Sequence, residues 1–233
     1  MLVTARNDTS TNWAIHANMD TDMFDDVPPT LNPNVTSSIT YSPSAPLTDL
    51  GFVPLDFYKE MPDTTLVPIP VEPQLPPATK TLTLEVLFET VDDGTNRAMF
   101  NQVTWNPPKV PAIFSALSLG PNATVEKAYG PGSFVVEYGD IVDLVIQNGD
   151  AGKHPFHLHG HKFQIVGRAE DYLSDDPEKN PKLVEGQANP IRRDTVQIPG
   201  GHSATLRLVA DNPGVWLMHC EFRYRVFVCR GVN

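Results

Sequence analysis

Long apolar runs are missing from this 233-residue chain. None approaches the ~20 residues that a membrane-spanning helix requires, so no such helix is expected. Basic residues are scarce too: seventeen Lys and Arg stand against twenty-eight Asp and Glu, for a net charge of -11. That balance speaks against a nucleic-acid partner or an anionic membrane surface and favours cations as ligands. Cysteine is down to Cys220 and Cys229, too few for a disulfide framework, and no structural disulfide is expected. The first twelve residues include Arg6, Asn7 and Asp8 and lack the apolar core of a secretion signal. Charged residues make up only 19% of the chain, whereas there are 23 prolines and 15 glycines. Turns and short strands, rather than helices, are therefore expected.

What the sequence has in excess is histidine in one place. His154-Pro155-Phe156-His157-Leu158-His159-Gly160-His161 holds four of the chain's seven histidines. Imidazole suits copper, zinc, iron and nickel, so the run is first a metal hypothesis. A solvated polyhistidine patch is the bland alternative, but Phe156, Leu158, Phe163, Ile165 and Val166 give the stretch the character of a core strand through Val166. In an extended chain His157, His159 and His161 project to one face and His154 to the other, so one strand can serve two metal centres. A second landmark, His219-Cys220, follows Asn212-Pro213-Gly214-Val215-Trp216-Leu217-Met218. Thiolate with imidazole is the donor mix of a blue copper site.

The histidine run, then Arg192-Arg193-Asp194-Thr195, then the Asn-Pro-Gly-Val-Trp stretch and His219-Cys220, resembles the third cupredoxin domain of fungal multicopper oxidases, the laccases and ferroxidases. The resemblance implies His154 and Cys220 as type 1 copper ligands, His157 as a type 2 ligand, and His159 and His219 as type 3 ligands; His161 matches a non-ligand position. It also implies that His219, bonded to Cys220, offers an electron a short through-bond route toward the cluster that reduces dioxygen to water. The reductant would be ferrous iron or a small phenol. Three sequons, at Asn7, Asn34 and Asn122, agree with an extracellular or cell-surface parent, and an iron permease is the partner expected for the ferroxidase branch.

This chain also departs from the family pattern. After Cys220 the family reads His, three further residues and His; here Glu221 replaces a type 3 ligand and Arg225 the second type 1 histidine. Arginine has no lone pair to give a metal. Arg230 stands at the axial Leu or Met position, and residues 229–233 read as an aberrant tail. A changed reading frame, a retained intron or a truncated gene model after Cys220 is the expected origin.

Along the chain, an all-β, cupredoxin-like Greek-key β-sandwich is expected, with a partial second cupredoxin domain before it. Residues 1–45 read as that remnant: strands at Leu2-Val3-Thr4-Ala5, at Asn12 to Ala17 and at Ser37 to Tyr41, which together bury too little surface to stand alone. Residues 46–79, rich in proline, read as a linker. Residues 80–228 hold about eight short strands at sandwich spacing, including one over Phe100 to Trp105 and one over Ser133 to Tyr138, with a helical turn between at Ala112 to Leu117. The acidic loop of residues 19–26 is by default solvated; by resemblance, Asp20, Asp25 and Asp150 match carboxylates that hold ferrous iron. His16, His202 and Trp216 are expected to serve turns and packing. Clustered histidines also suit a cupin or zinc hydrolase, but no H-E-x-x-H motif is present and Cys220 would have no role.

Overall fold

The computed structural model describes residues 4, 5, 7, 10–21, 24, 26–47, 65–106, 108–221 and 228–230, the last three through their backbone. The chain divides into two compact units, Met1–Pro62 and Asp63–Asn233.

In the first unit, β1 (Trp13–Asn18) and β2 (Asn34–Ile39) form an antiparallel ribbon. Every residue of β2 is exposed. Buried Asn12 ties the ribbon's base: its amide donates to the Ser42 and Ala45 carbonyls at 2.9 and 2.8 Å and accepts from the Tyr41 N–H at 2.8 Å. Of the strand expected over Leu2-Val3-Thr4-Ala5, Leu2 and Val3 lie outside the described residues, and Thr4 and Ala5 are not in a strand.

The second unit is the expected all-β sandwich. One sheet runs in the order β4 (Asn96–Phe100), β3 (Lys80–Thr90), β6 (Ile141–Asn148), β11 (Ser203–Val209), β8 (Phe163–Ala169) and β9 (Arg192–Arg193). The other runs β10 (Thr195–Ile198), β7 (His154–Leu158), β12 (Val215–Cys220), β13 (Val228–Arg230) and β5 (Phe134–Val135). Period-two alternation builds the core between them: Leu82, Leu84 and Val86 from β3, Leu144 and Ile146 from β6, Phe156 and Leu158 from β7, Leu206 and Leu208 from β11, and Met218 and Cys220 from β12 pack in one cluster. One short helix, α1 (Ala112–Leu119), lies between β4 and β5, and among the described residues no helix is long and apolar enough to cross a membrane.

Three local expectations need correction. The strand expected over Phe100 to Trp105 is instead a turn, because Asn101 and Gln102 adopt left-handed φ of 49° and 63°. Asparagine tolerates that region, and its side chain accepts from the Glu85 N–H at 2.7 Å and donates to the Thr83 carbonyl at 2.9 Å. The strand expected over Ser133 to Tyr138 shrinks to Phe134–Val135. The histidine strand does not continue through Val166: it breaks at Gly160, whose φ is 69°, so His161 leaves the face shared by His157 and His159.

Residues 65–79 are tied to the larger sheet and the loop beside it, with Leu66 packed against the core. Leu75 N–H donates to the Gln164 side chain at 2.8 Å, Gln74 N–H to the Gln187 carbonyl at 3.0 Å, and the Asn189 amide to the Pro68 carbonyl at 3.0 Å. Beneath this cover lies Arg207, 1% exposed. Its fork donates to both oxygens of Asp143 at 2.7 and 2.8 Å and to both of Glu185 at 2.7 and 2.8 Å. Those bonds raise the arginine's proton affinity further, Asp143 contributing most.

Candidate metal centres

The antiparallel pairing of β7 with β12 places His219 opposite His157 and Cys220 opposite Phe156. Alternation does the rest: His154, Phe156, Cys220 and Met218 point into the sandwich, and His157 and His219 point out of it. Two clusters result, back to back on one strand pair.

On the inward side the Cys220 thiol lies 3.5 Å from His154 Nδ1. Both side chains are buried, at 6% and 4% exposure. The other ring nitrogen, Nε2, is 2.8 Å from Asp150 Oδ2. A carboxylate only accepts, so Nε2 carries the proton and the Nδ1 lone pair faces the sulfur. Partial burial pushes the Asp150 carboxyl up, but hydrogen bonds from His154 and the Gly152 amide outweigh it and leave the group below the usual carboxylate range. Phe88 stacks on the His154 ring at 4.9 Å between centroids and 13° between planes. Phe88, Phe100 and Phe156 also wall a cavity of about 10 Å³ beside His154 and Cys220, room for one atom and not for an organic substrate.

Copper fits this donor set. A soft sulfur and a neutral imidazole lone pair converge inside apolar walls. With bonds of about 2.0 and 2.3 Å, two ligands of one tetrahedral ion stand about 3.5 Å apart, which is the separation found.

On the outward side, His157 Nδ1 donates to the Asp194 carbonyl at 2.9 Å, with Thr195 Oγ1 at 3.0 Å. Its Nε2 lone pair is thereby left toward the neighbouring rings. His159 Nε2 and His219 Nε2 share a hydrogen bond of 3.0 Å, and the three ring centroids lie 4.9, 5.1 and 5.6 Å apart. Burial, then the charges of His157 and His219, holds the His159 ring below the usual histidine range, while Glu221 acts in the opposite sense. Among the described residues no group of three or more His, Cys, Asp or Glu side chains is arranged to hold a metal by itself.

The remaining candidates are scattered. His161 is buried, bonded through Nδ1 to the His159 carbonyl at 3.2 Å and edge-on to Trp216. His202 bonds the Gly200 carbonyl at 2.9 Å in a turn, and His16 contacts Thr36 Oγ1 at 2.7 Å on the ribbon. Arg192 pairs with Glu72 at 3.4 Å. Asp20 is exposed in the first unit, and Asp25 and Arg225 lie outside the described residues.

Residues absent from the sequence reading matter here. Asn148, fully buried, donates to the Gly152 and Ile198 carbonyls at 2.8 and 3.0 Å and accepts from the Asp150 N–H at 3.1 Å. It therefore shapes the loop that aims Asp150. Gly200 packs against the same loop: a Cβ there would sit 2.5 Å from the Ala151 carbonyl oxygen. An asparagine at the inward-facing end of an apolar strand was a signal for such a role, because a buried amide demands partners.

Comparison with known proteins places these half-sites in context. The multicopper oxidase family profile matches residues 102–226. The chain is 49% identical over 225 residues to the iron multicopper oxidase fer1 of Mycosarcoma maydis, covering 95% of this chain and 36% of that protein. It is 35% identical over 237 residues to the iron transport multicopper oxidase FET3 of Saccharomyces cerevisiae, covering 97% of this chain and again 36% of the relative. The crystal structure of Fet3p, a multicopper oxidase that functions in iron import, superposes with a TM-score of 0.79 at 33% identity, covering 96% of this chain and 45% of that one. A laccase from Botrytis aclada gives 0.58 at 25% identity, covering 81% and 34%. The chain thus spans about a third of the length of the curated relatives it matches.

Proposed function

Since the chain belongs to the multicopper oxidase family, we propose that it is the ligand-bearing third cupredoxin domain, with part of the second, of an iron-oxidising enzyme. The observation that carries this reading is the 3.5 Å contact of His154 with Cys220, completed by Asp150 on the far ring nitrogen. His154 and Cys220 are the ligands for type 1 copper, His157 for type 2 and His159 with His219 for the type 3 pair. Bound copper supplies the reversible one-electron chemistry that imidazole and thiol lack.

The chain's own groups do the remaining work. Asp150 fixes the His154 tautomer, and its side chain, 26% exposed, can meet ferrous iron, a hard cation that prefers oxygen. Phe88 and its aromatic neighbours exclude water from the thiol. The peptide link between Cys220 and His219 joins the inward cluster to the outward one, a covalent path for an electron across the strand. Dioxygen is the final acceptor, reduced to water, and small phenols are the alternative reductant. Asp20 and Asp25 belong to the iron route in this reading, an iron permease is the partner, and the compartment is extracellular or cell surface.

Asp150→Ala in a full-length relative tests the substrate. Iron oxidation is expected to fall much further than phenol oxidation; equal losses would refute the iron assignment. A second reading, a copper-binding or structural fragment without turnover, is favoured by Glu221 and Arg225 at ligand positions. Oxygen uptake by the purified chain with copper and ferrous iron would overturn it, whereas copper binding without oxygen uptake would support it.

A further inference from the structure

The turn that follows His159 is held by an unusual arrangement around Trp216. Continuing the β7 and β12 ladder past His159, whose N–H donates to the Leu217 carbonyl at 2.8 Å, brings Gly160 opposite Trp216. The indole occupies the space where a Gly160 side chain would be: a Cβ there would sit 2.5 Å from indole ring carbons, in a backbone with φ of 69°. A second glycine, Gly214, lies under the same ring, its Cβ position 3.0 Å from Nε1. Trp216 Nε1 donates to the Asn212 carbonyl at 2.7 Å, and the Asn212 side-chain amide donates to the Gly160 carbonyl at 2.9 Å. His161 closes the ring of contacts, edge-on to the indole with centroids 5.9 Å apart and bonded back to the His159 carbonyl.

We propose that Trp216, with Asn212 and Gly160, is a positioning clamp that sets the separation of the His159 and His219 imidazoles. Those rings come from different segments. His219 is carried within β12, three residues after Trp216, whereas His159 sits one residue past the end of β7, held to β12 by the single bond from its N–H to the Leu217 carbonyl, after which the chain turns at Gly160. The clamp joins the two: the indole is part of the strand that bears His219, and through Asn212 it grips the peptide next to His159. The 3.0 Å contact between the two Nε2 atoms is the geometry it maintains. Simple core packing would make any large apolar residue adequate at position 216. The clamp instead requires the indole N–H, the Asn212 amide and a glycine at position 160.

The inference rests on His159 and His219 as copper ligands, and the test separates the two ideas. The chain labelled with nitrogen-15 histidine, free of metal, is expected to show a proton shared between the His159 and His219 rings, with nitrogen–nitrogen coupling across the bond. Asn212→Ala, at a half-exposed position, should abolish that coupling while leaving the amide spectrum of the sheets in place. Trp216→Phe, which keeps the ring and loses the donor, should do the same, and Gly160→Ala should displace His159 outright. Titrating copper(II) into the same samples should broaden the His157, His159 and His219 resonances, with affinity about tenfold weaker in Asn212→Ala. Coupling that survives in both Asn212→Ala and Trp216→Phe overturns the clamp. Coupling lost as expected, but no broadening by copper even in the unaltered chain, keeps the clamp and overturns the ligand reading.

Discussion

Arg207 and the histidine face of β7 and β12 are polar sites on the two sheets of one sandwich, and they are treated in opposite ways. Every direction of the Arg207 fork meets a carboxylate oxygen, with the Leu75 carbonyl added at 3.3 Å. The connector and the loop bearing Glu185 were folded over the sheet to complete it. At the histidines the partners stop halfway. His154 and His157 each have one nitrogen committed, to Asp150 and to the Asp194 carbonyl, and the other nitrogen of His154 faces the Cys220 thiol, while His159 and His219 meet each other through Nε2. A completed network stabilises the fold, whereas a lone pair kept available in a dry place is what a metal needs.

The comparison is broken most directly at Arg207. Arg207→Leu leaves Asp143 buried without its partner and is expected to cost about 3–5 kcal/mol in urea unfolding, because an unpaired buried charge is the expensive outcome. Adding Asp143→Leu should recover most of the loss, since an apolar pair of similar size often replaces a buried ion pair without penalty. A single variant that unfolds like the unaltered chain would show that the network is incidental.

The two regions were not equally legible in the sequence. Alternation in β3, β6, β7 and β11 declared the sandwich, and the spacing of His154, His157 and His159 correctly divided the donors between two faces, because period two is a property of the strand alone. His161 was misplaced because a glycine in a strand-like run gives no warning of a left-handed turn unless the residue opposite is known, here Trp216. Arg207, between Leu206 and Leu208 in β11, was not singled out by any sequence pattern. Its burial depends on Glu185 and Leu75, 22 and 132 residues away, and no local pattern reports a covering loop. Asp150 was found through its resemblance to iron-site carboxylates, but its bond to His154 needed the Asn148 loop, which only the folded chain displays.

From the other side, the comparison is sharpened at Cys220. Cys220→Ser replaces the thiol by a hydroxyl that can still donate to His154 Nδ1, so unfolding free energy should change by no more than about 1 kcal/mol. Copper(I) affinity, read by competition with a chromophoric chelator, should fall at least about tenfold, since a soft ion loses the Cys220 thiolate. The reverse pattern, a large stability loss with affinity retained, would make Cys220 a packing residue and place the copper elsewhere.

Acidification gives the smallest effect and separates the two regions by pH alone. The His159 ring is held below its ordinary value of 6.5 in the folded chain, so the unfolded chain takes up its proton first and stability declines as pH falls through about 6.5. Glu185 is held below its ordinary 4.5, chiefly by the hydrogen bond from Arg207, and Asp150 below 3.8. Their contributions are intact above those values and are lost only as pH falls further, through the folded-state values. Between about pH 7.5 and about pH 5.5 the completed network should therefore be silent while the histidine face weakens. Amide exchange should rise first at the ends of β7 and β12 and stay slow in β6 and β11. His159→Gln should remove the stability slope in that interval. If the slope persists, another group carries it, and the unfinished polar face is not where the domain first yields to acid.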